Sequence, residues 1–356
     1  MNITADENIP YVEEAFNTLG KVTTVNGRTL SSDKLQTTDI LLVRSVTQVN
    51  QKLLQDTPVK FVASATAGFN HIDLKYLEKN KIDFARAPGS NAISAAEYVM
   101  AGISLWSLQN NKDLNSLSIG IIGCGNVGSR VKQLCEDSGI HCVINDPPLE
   151  EKKPAQYDYS SIEKALACDI VTLHTPLTYD GNHPSYRLLN NRLISILKSG
   201  TLFINAARGE VVEEPALLKR IKSHDDISLI LDVWENEPNI GLELLPYTLI
   251  GTPHIAGYSI DGKIRGTEMI YNAVCDFLGE KPLWSAQQVD FSNNPRTVIK
   301  LSRNHDNRST LLKAYNILQD DNNLKRLLKN KALQDGKYFD SLRKNYPARR
   351  EYSDIE

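Results

Sequence analysis

A chain of 356 residues exceeds what one ordinary hydrophobic core serves, so two or three domains are expected. Its 41% apolar and 23% charged residues suit a water-borne globular protein, and a net charge of −3 gives no reason to expect nucleic acid as the main partner. No apolar run approaches the roughly 20 residues that cross a bilayer. The opening MNITADENIP is no signal peptide, and the five cysteines, with no C-x-x-C pair, read as reduced thiols in the cytoplasm.

In the first hundred residues, DILLVRS (39–45), KFVASA (60–65) and IDFAR (82–86) read as strands of a small α/β unit. Residues 94–109 form a helical pattern opened by a Ser94-x-x-Glu97 capping box, placed to connect that unit to the next. From 118 onward the short apolar runs SIGIIG, HCVIN, DIVTLH, TLFINA, SLILDV and TLIGT alternate with helical stretches such as 127–138, 190–198 and 213–223. Such alternation predicts a parallel sheet covered on both faces. A further helix over 262–279 would carry the chain back to the first unit.

The last segment differs in charge. Residues 287–356 hold 14 Lys and Arg against 9 Asp and Glu, so they carry +5 while the remainder carries −8. Apolar spacing at Leu311, Leu312, Tyr315 and Leu318, then Leu324, Leu327 and Leu328, predicts amphipathic helices that dock on the chain itself or on a second subunit. A nucleic-acid face is the minor alternative.

The segment IIGCGNVGSRV contains Gly123-x-Gly125-x-x-Gly128 between an apolar strand and a helix, with Asp146 ending the next strand. That context marks a dinucleotide loop. Gly123 permits the turn, Gly125 admits a pyrophosphate, Gly128 lets helix and strand pack, and the helix start at Asn126 and Val127 offers free N–H groups. Asp146 would accept from an adenosine ribose and repel a 2′-phosphate, favouring NAD over NADP, although Lys152 and Lys153 follow closely.

Three later strands each end in a candidate catalytic residue: Arg208 in INAARGE, Glu237 in LDVWENEP and His254 in TPHIAG. Open α/β sheets bind ligands at the carboxyl ends of their strands, so all three reach one rim. The set suits oxidation of a 2-hydroxy acid. A histidine takes the hydroxyl proton, a carboxylate orients the ring, and a guanidinium grips the substrate carboxylate. Taken singly, Arg208 reads equally as a surface charge, Glu237 as a helix-start acid and His254 as a packed histidine.

Together GCGNVGSRV, NAARGE, LDVWENEP and TPHIAG resemble the D-isomer-specific 2-hydroxyacid dehydrogenase family over roughly residues 35 to 285. HIAGYSIDGKIRGTEM and the closing YPARREY narrow the resemblance to a member acting on a phosphorylated four-carbon acid. It implies catalytic roles for Arg208, Glu237 and His254, and NAD contacts from Asp146, Thr175, Ala206, Ala207, Arg208, Asp232 and Gly257. It also implies substrate contacts from Ser45, Thr66 and Tyr258, and a C-terminal domain through which a homodimer forms. The implied reaction is oxidation of 4-phospho-D-erythronate by NAD in vitamin B6 biosynthesis. The alternatives are another phosphorylated acid such as 3-phosphoglycerate, or a non-catalytic NAD-sensing scaffold. Lys81 stands where the family often has Gly, which is expected to alter a turn.

The expected architecture is α/β. A Rossmann-type doubly wound sheet (99–256) is inserted in a smaller flavodoxin-like domain (1–98 and 257–286), and a small α+β or helical domain follows (287–356). A cleft and hinge closure between the lobes are expected. His71 reads as structural and His174 as structural or near the cofactor. Arg44, Lys263 and Arg265 are candidate phosphate ligands; the alternatives are a surface ion pair for Arg44 and a solvated helix face or a subunit contact for Lys263 and Arg265. No metal-ligand spacing occurs, and no metal or membrane partner is expected.

Overall fold

The computed structural model describes residues 1–353. The chain divides into two compact units, residues 1–91 with 259–296, and residues 92–258 with 297 onward.

In the first unit, β1 (Asn2–Asp6), β2 (Lys21–Val25), β3 (Ile40–Val43), β4 (Phe61–Ser64) and β5 (Asp83–Arg86) form a parallel sheet. Its order, β2-β1-β3-β4-β5, is that of flavodoxin-like folds. Side chains alternate between faces, which splits β3 between two cores. Ile40 and Leu42 meet Ile264, Ile270 and Val274 of the helix Ile260–Leu278, while Leu41 and Val43 meet Leu35, Leu53 and Leu77. β1 and β2 escape the sequence reading because NITAD and KVTTV are largely polar, β2 being mostly exposed. Lys81 takes φ 55, the left-handed conformation that glycine adopts freely, in the turn after the helix Leu74–Lys79.

The second unit carries β6 (Ser118–Ile122), β7 (His141–Asn145), β8 (Ile170–Leu173), β9 (Leu202–Asn205), β10 (Ser228–Leu231) and β11 (Thr248–Gly251), all parallel. The order β11-β10-β9-β8-β6-β7 reverses between β6 and β8, the switch point at which doubly wound sheets open a crevice. Ile119, Ile121, Ile204 and Ile230 pack with the helices Ala92–Gln109 and Asn126–Asp137; Val171, Phe203, Leu229 and Leu231 fill the opposite face.

Side chains of the C-terminal residues join both of these cores in the single chain. Ile299, Leu311, Tyr315 and Ile317 enter one, and Leu324, Leu327 and Phe339 the other. The helix Ile317–Lys329 also covers the edge strand β11. Asp321 accepts from the Gly251 N–H at 2.8 Å, and Lys325 donates to the Thr248 carbonyl at 2.8 Å. Edge groups that would otherwise need water are thereby satisfied.

The connecting helix starts at Ala92, so Ser94 lies inside it and no capping box forms. Glu97 is instead fully buried, and its Oε1 accepts from the N–H groups of Tyr352 and Ser353 at 2.6 and 2.7 Å. Among the described residues no helix is long and apolar enough to cross a membrane.

Candidate active site

Every second-unit residue read from the sequence as catalytic, cofactor-binding or substrate-binding lies at or beyond the carboxyl end of a strand or at the helix that follows it. After β6, Gly123 turns at φ 88, and a Cβ on Gly128 would strike the Gly123 carbonyl. The space around Gly125 is open, with nothing within 4 Å of where a Cβ would stand. The helix Asn126–Asp137 begins there with no side-chain cap, leaving its first N–H groups for an anion.

Asp146, after β7, accepts from the Cys124 N–H at 2.7 Å and the Leu149 N–H at 3.0 Å, one on each oxygen. A carboxylate has about four acceptor sites, so capacity remains for a ribose. After β8, burial pushes His174 down to about 3, and its Nε2 meets the Thr172 hydroxyl at 2.9 Å. The Thr175 hydroxyl beside it is buried without a partner among the described residues, an unmet group that a bound cofactor would satisfy.

Asn205 ends β9 and braces the next loop. Its side chain accepts from Ala207 N–H at 3.1 Å and donates to the Arg208 carbonyl at 3.0 Å. Arg208 Nη1 donates to the Ala207 carbonyl at 2.6 Å. Burial pushes the Arg208 guanidinium down, opposed by Glu237 and Glu210 and assisted by Arg343.

Asp232, after β10, organises the histidine loop. Its carbonyl accepts from His254 N–H at 2.7 Å, and its carboxylate from Ile255 and Ala256 N–H at 2.7 and 2.9 Å and from the Thr252 hydroxyl at 2.7 Å. His254 is thereby held at φ 57, a left-handed backbone that a non-glycine residue keeps only when its surroundings impose it. Its Nδ1 lies 2.7 Å from Glu237 Oε2, while Oε1 accepts from Trp234 N–H at 3.0 Å. Burial alone would raise the Glu237 carboxyl, but His254, the Trp234 hydrogen bond and Arg343 outweigh it and hold it below the usual value. An ionised carboxylate only accepts, so Nδ1 carries the proton and Nε2 is left as the acceptor.

Tyr258 closes this loop. Its carbonyl accepts from Arg349 Nε at 3.1 Å, and its ring meets Tyr346 edge-on at 5.7 Å. Arg343 lies 6.0 Å from the same ring. The sequence reading assigned none of these three side chains to the site, although Tyr346 and Arg349 stand in the quoted YPARREY; that motif and the basic charge around it were the available signal.

In the first unit, Ser45 is exposed after β3. The Thr66 hydroxyl bonds Ser64 at 2.8 Å, and Ser64 in turn meets His71 Nε2 at 3.0 Å. Burial pushes His71 down to about 4. Lys263 is lowered by burial and by Arg44, so these two cations share a neighbourhood. Arg265 donates to the Ser90 carbonyl at 3.1 Å.

Comparison with known proteins bears on this geometry. Residues 91–256 match the family "D-isomer specific 2-hydroxyacid dehydrogenase, NAD binding domain", and residues 293–356 match a domain of unknown function, DUF3410. The whole chain aligns at 42% identity with erythronate-4-phosphate dehydrogenases of Marinobacter nauticus and of Proteus mirabilis, covering 94% of each. The chain belongs to the erythronate-4-phosphate dehydrogenase family. This family member pairs the NAD-binding domain with the further C-terminal segment. Two solved structures share its fold: an NAD-bound 3-phosphoglycerate dehydrogenase of Entamoeba histolytica and a D-lactate dehydrogenase of Aquifex aeolicus with NAD and lactic acid. The first has a TM-score of 0.67 at 23% identity, covering 80% of this chain and 98% of its own. The second has a TM-score of 0.63 at 24% identity, covering 78% and 96%.

Proposed function

We propose that the chain oxidises 4-phospho-D-erythronate to 2-oxo-3-hydroxy-4-phosphobutanoate with NAD, a step of vitamin B6 biosynthesis. The observation that carries this reading is the His254–Glu237 pair at 2.7 Å, set in a chain 42% identical over its full length to dehydrogenases of that name.

Glu237 holds the Nδ1 proton, so His254 Nε2 accepts the proton of the substrate's C2 hydroxyl. This transfer typically contributes about 10²–10⁴ in rate. Arg208 takes the C1 carboxylate in a two-point grip that aims C2. NAD, when bound, supplies the hydride acceptor. The Gly123–Gly128 turn with Asn126 and Val127 would hold its pyrophosphate and Asp146 its adenosine ribose. Thr175, Ala206, Ala207, Arg208, Asp232 and Gly257 would line the remainder. Ser45, Thr66 and Tyr258 are assigned to the substrate.

A homodimer is the second part of the reading. On the helix Ile317–Lys329, Leu318 and Leu328 remain exposed at 42% and 37%, while Leu324 and Leu327 are buried in the chain. Leu318→Glu with Leu328→Glu should turn a sedimenting dimer into a monomer; an unchanged dimer moves the interface elsewhere. All five cysteines are free, which supports a reducing compartment, the cytoplasm.

The deciding assay is NADH formation from 4-phosphoerythronate against 3-phosphoglycerate, with the ketone product trapped. Preference for the four-carbon acid supports the reading. Turnover of neither, in a chain that binds NAD, ends it.

A further inference from the structure

The helix Lys337–Lys344 brings Arg343 to the loop that ends in Tyr258, with its guanidinium carbon 6.0 Å from the ring. Arg343 Nε is buried and has no hydrogen-bond acceptor among the described residues. Its contact with Asp340 is long, 3.9 Å from Nη1 to Oδ1. Glu237, the carboxylate of the site, is already engaged by His254 and Trp234. Arg343 nevertheless acts on both charged neighbours: besides burial it pushes Arg208 down, and against burial it helps draw Glu237 down.

Tyr258, through a side-chain hydrogen bond, and the Glu237 and Asp340 charges favour the charged form of Arg343 against burial, so two cationic guanidiniums, Arg208 and Arg343, stand at one site and suit a ligand with two negative groups. We propose that Arg343 is a specificity-determining residue that donates to the substrate's phosphate, while Arg208 takes the carboxylate. The planar fork of a guanidinium matches phosphate oxygens, and the buried Nε–H gains an acceptor in the complex. The C-terminal segment thus completes the site chemically as well as covering the sheet edge. This inference rests on the reaction proposed above.

The test is steady-state kinetics on the full chain. Arg343→Gln should raise KM for 4-phosphoerythronate roughly 10- to 100-fold, with kcat changed less than about threefold, as expected for loss of a hydrogen bond to a charged group. Inhibition by inorganic phosphate should weaken in parallel. Asp340→Asn, which keeps the shape of the side chain and removes the charge behind the long contact with Arg343, should leave both constants as in the wild type. An unchanged KM in Arg343→Gln, a loss confined to kcat, or the same loss in Asp340→Asn overturns the inference. If the Gln chain no longer binds NAD, Arg343→Lys carries the test, because it keeps the charge and loses the fork; an unchanged KM there overturns the inference equally. Absence of wild-type turnover would instead remove the proposed reaction, a result distinct from a variant that behaves like an active wild type.

Discussion

Arg349 and Glu97, 252 residues apart in sequence, form an ion pair at 2.9 Å with side chains 7% and 0% exposed. Arg349 also donates to the carbonyls of Tyr258 at 3.1 Å and Ser94 at 3.2 Å, and its guanidinium lies 4.3 Å from the Tyr315 ring centre. One buried side chain therefore ties the C-terminal segment, the connecting helix and the histidine loop together.

Removing either partner leaves the other charge buried. Glu97→Gln and Arg349→Met should each lower stability by about 3–5 kcal/mol, read as a shift of the urea midpoint. The double variant should cost less than the two single losses added together. Strict additivity would mean that the two side chains do not act as a pair.

His254→Ala should lower kcat by about 10²–10⁴ while NAD binding, followed by fluorescence, is retained. Glu237→Gln should also lower kcat, because an amide no longer dictates which ring nitrogen carries the proton. The Glu237 carboxyl is held below its usual value of about 4.5, so it stays ionised above that pH. Its contribution to stability is present above the unfolded pKa and is lost as pH falls through the lower folded one.

His71 makes the first unit sensitive to acid. Its folded pKa of about 4 lies below the unfolded value of 6.5, so within that window the unfolded chain binds the extra proton. Stability must fall as pH drops through that range. His71→Gln should flatten the dependence between pH 6.5 and 4, measured by urea unfolding at intervals across it. An identical slope in the variant would place the acid sensitivity elsewhere.

Asp146→Ala should raise KM for NAD and improve the relative use of NADP by roughly 10-fold or more, since the residue no longer accepts from a ribose or repels a 2′-phosphate. The same change removes the acceptor for the Cys124 and Leu149 N–H groups. A thermal scan should accompany the kinetics, and loss of NAD use without any gain for NADP would argue against a ribose contact.

Much of this protein was legible in local sequence. Apolar runs bounded by turn residues mark β3 to β11, because strands of a parallel sheet are buried on both faces. Gly123, Gly125 and Gly128 declare a dinucleotide loop because each meets a backbone demand within six residues. Arg208, Glu237 and His254 follow from strand ends, since a parallel sheet delivers every such end to one rim. What sequence could not assign depends on distant partners. Glu97 reads as a helix cap from its neighbours, yet Arg349 and Ser353 claim it; Asp232 clamps His254 into a left-handed backbone through hydrogen bonds 22 to 24 residues away in chain count. Arg343 and Tyr346 carry no local sign of a place beside Tyr258, which depends on where the C-terminal segment packs. The element pattern is set by the period of apolar residues along the chain, whereas the partner of a buried charge is set by which segments meet in space.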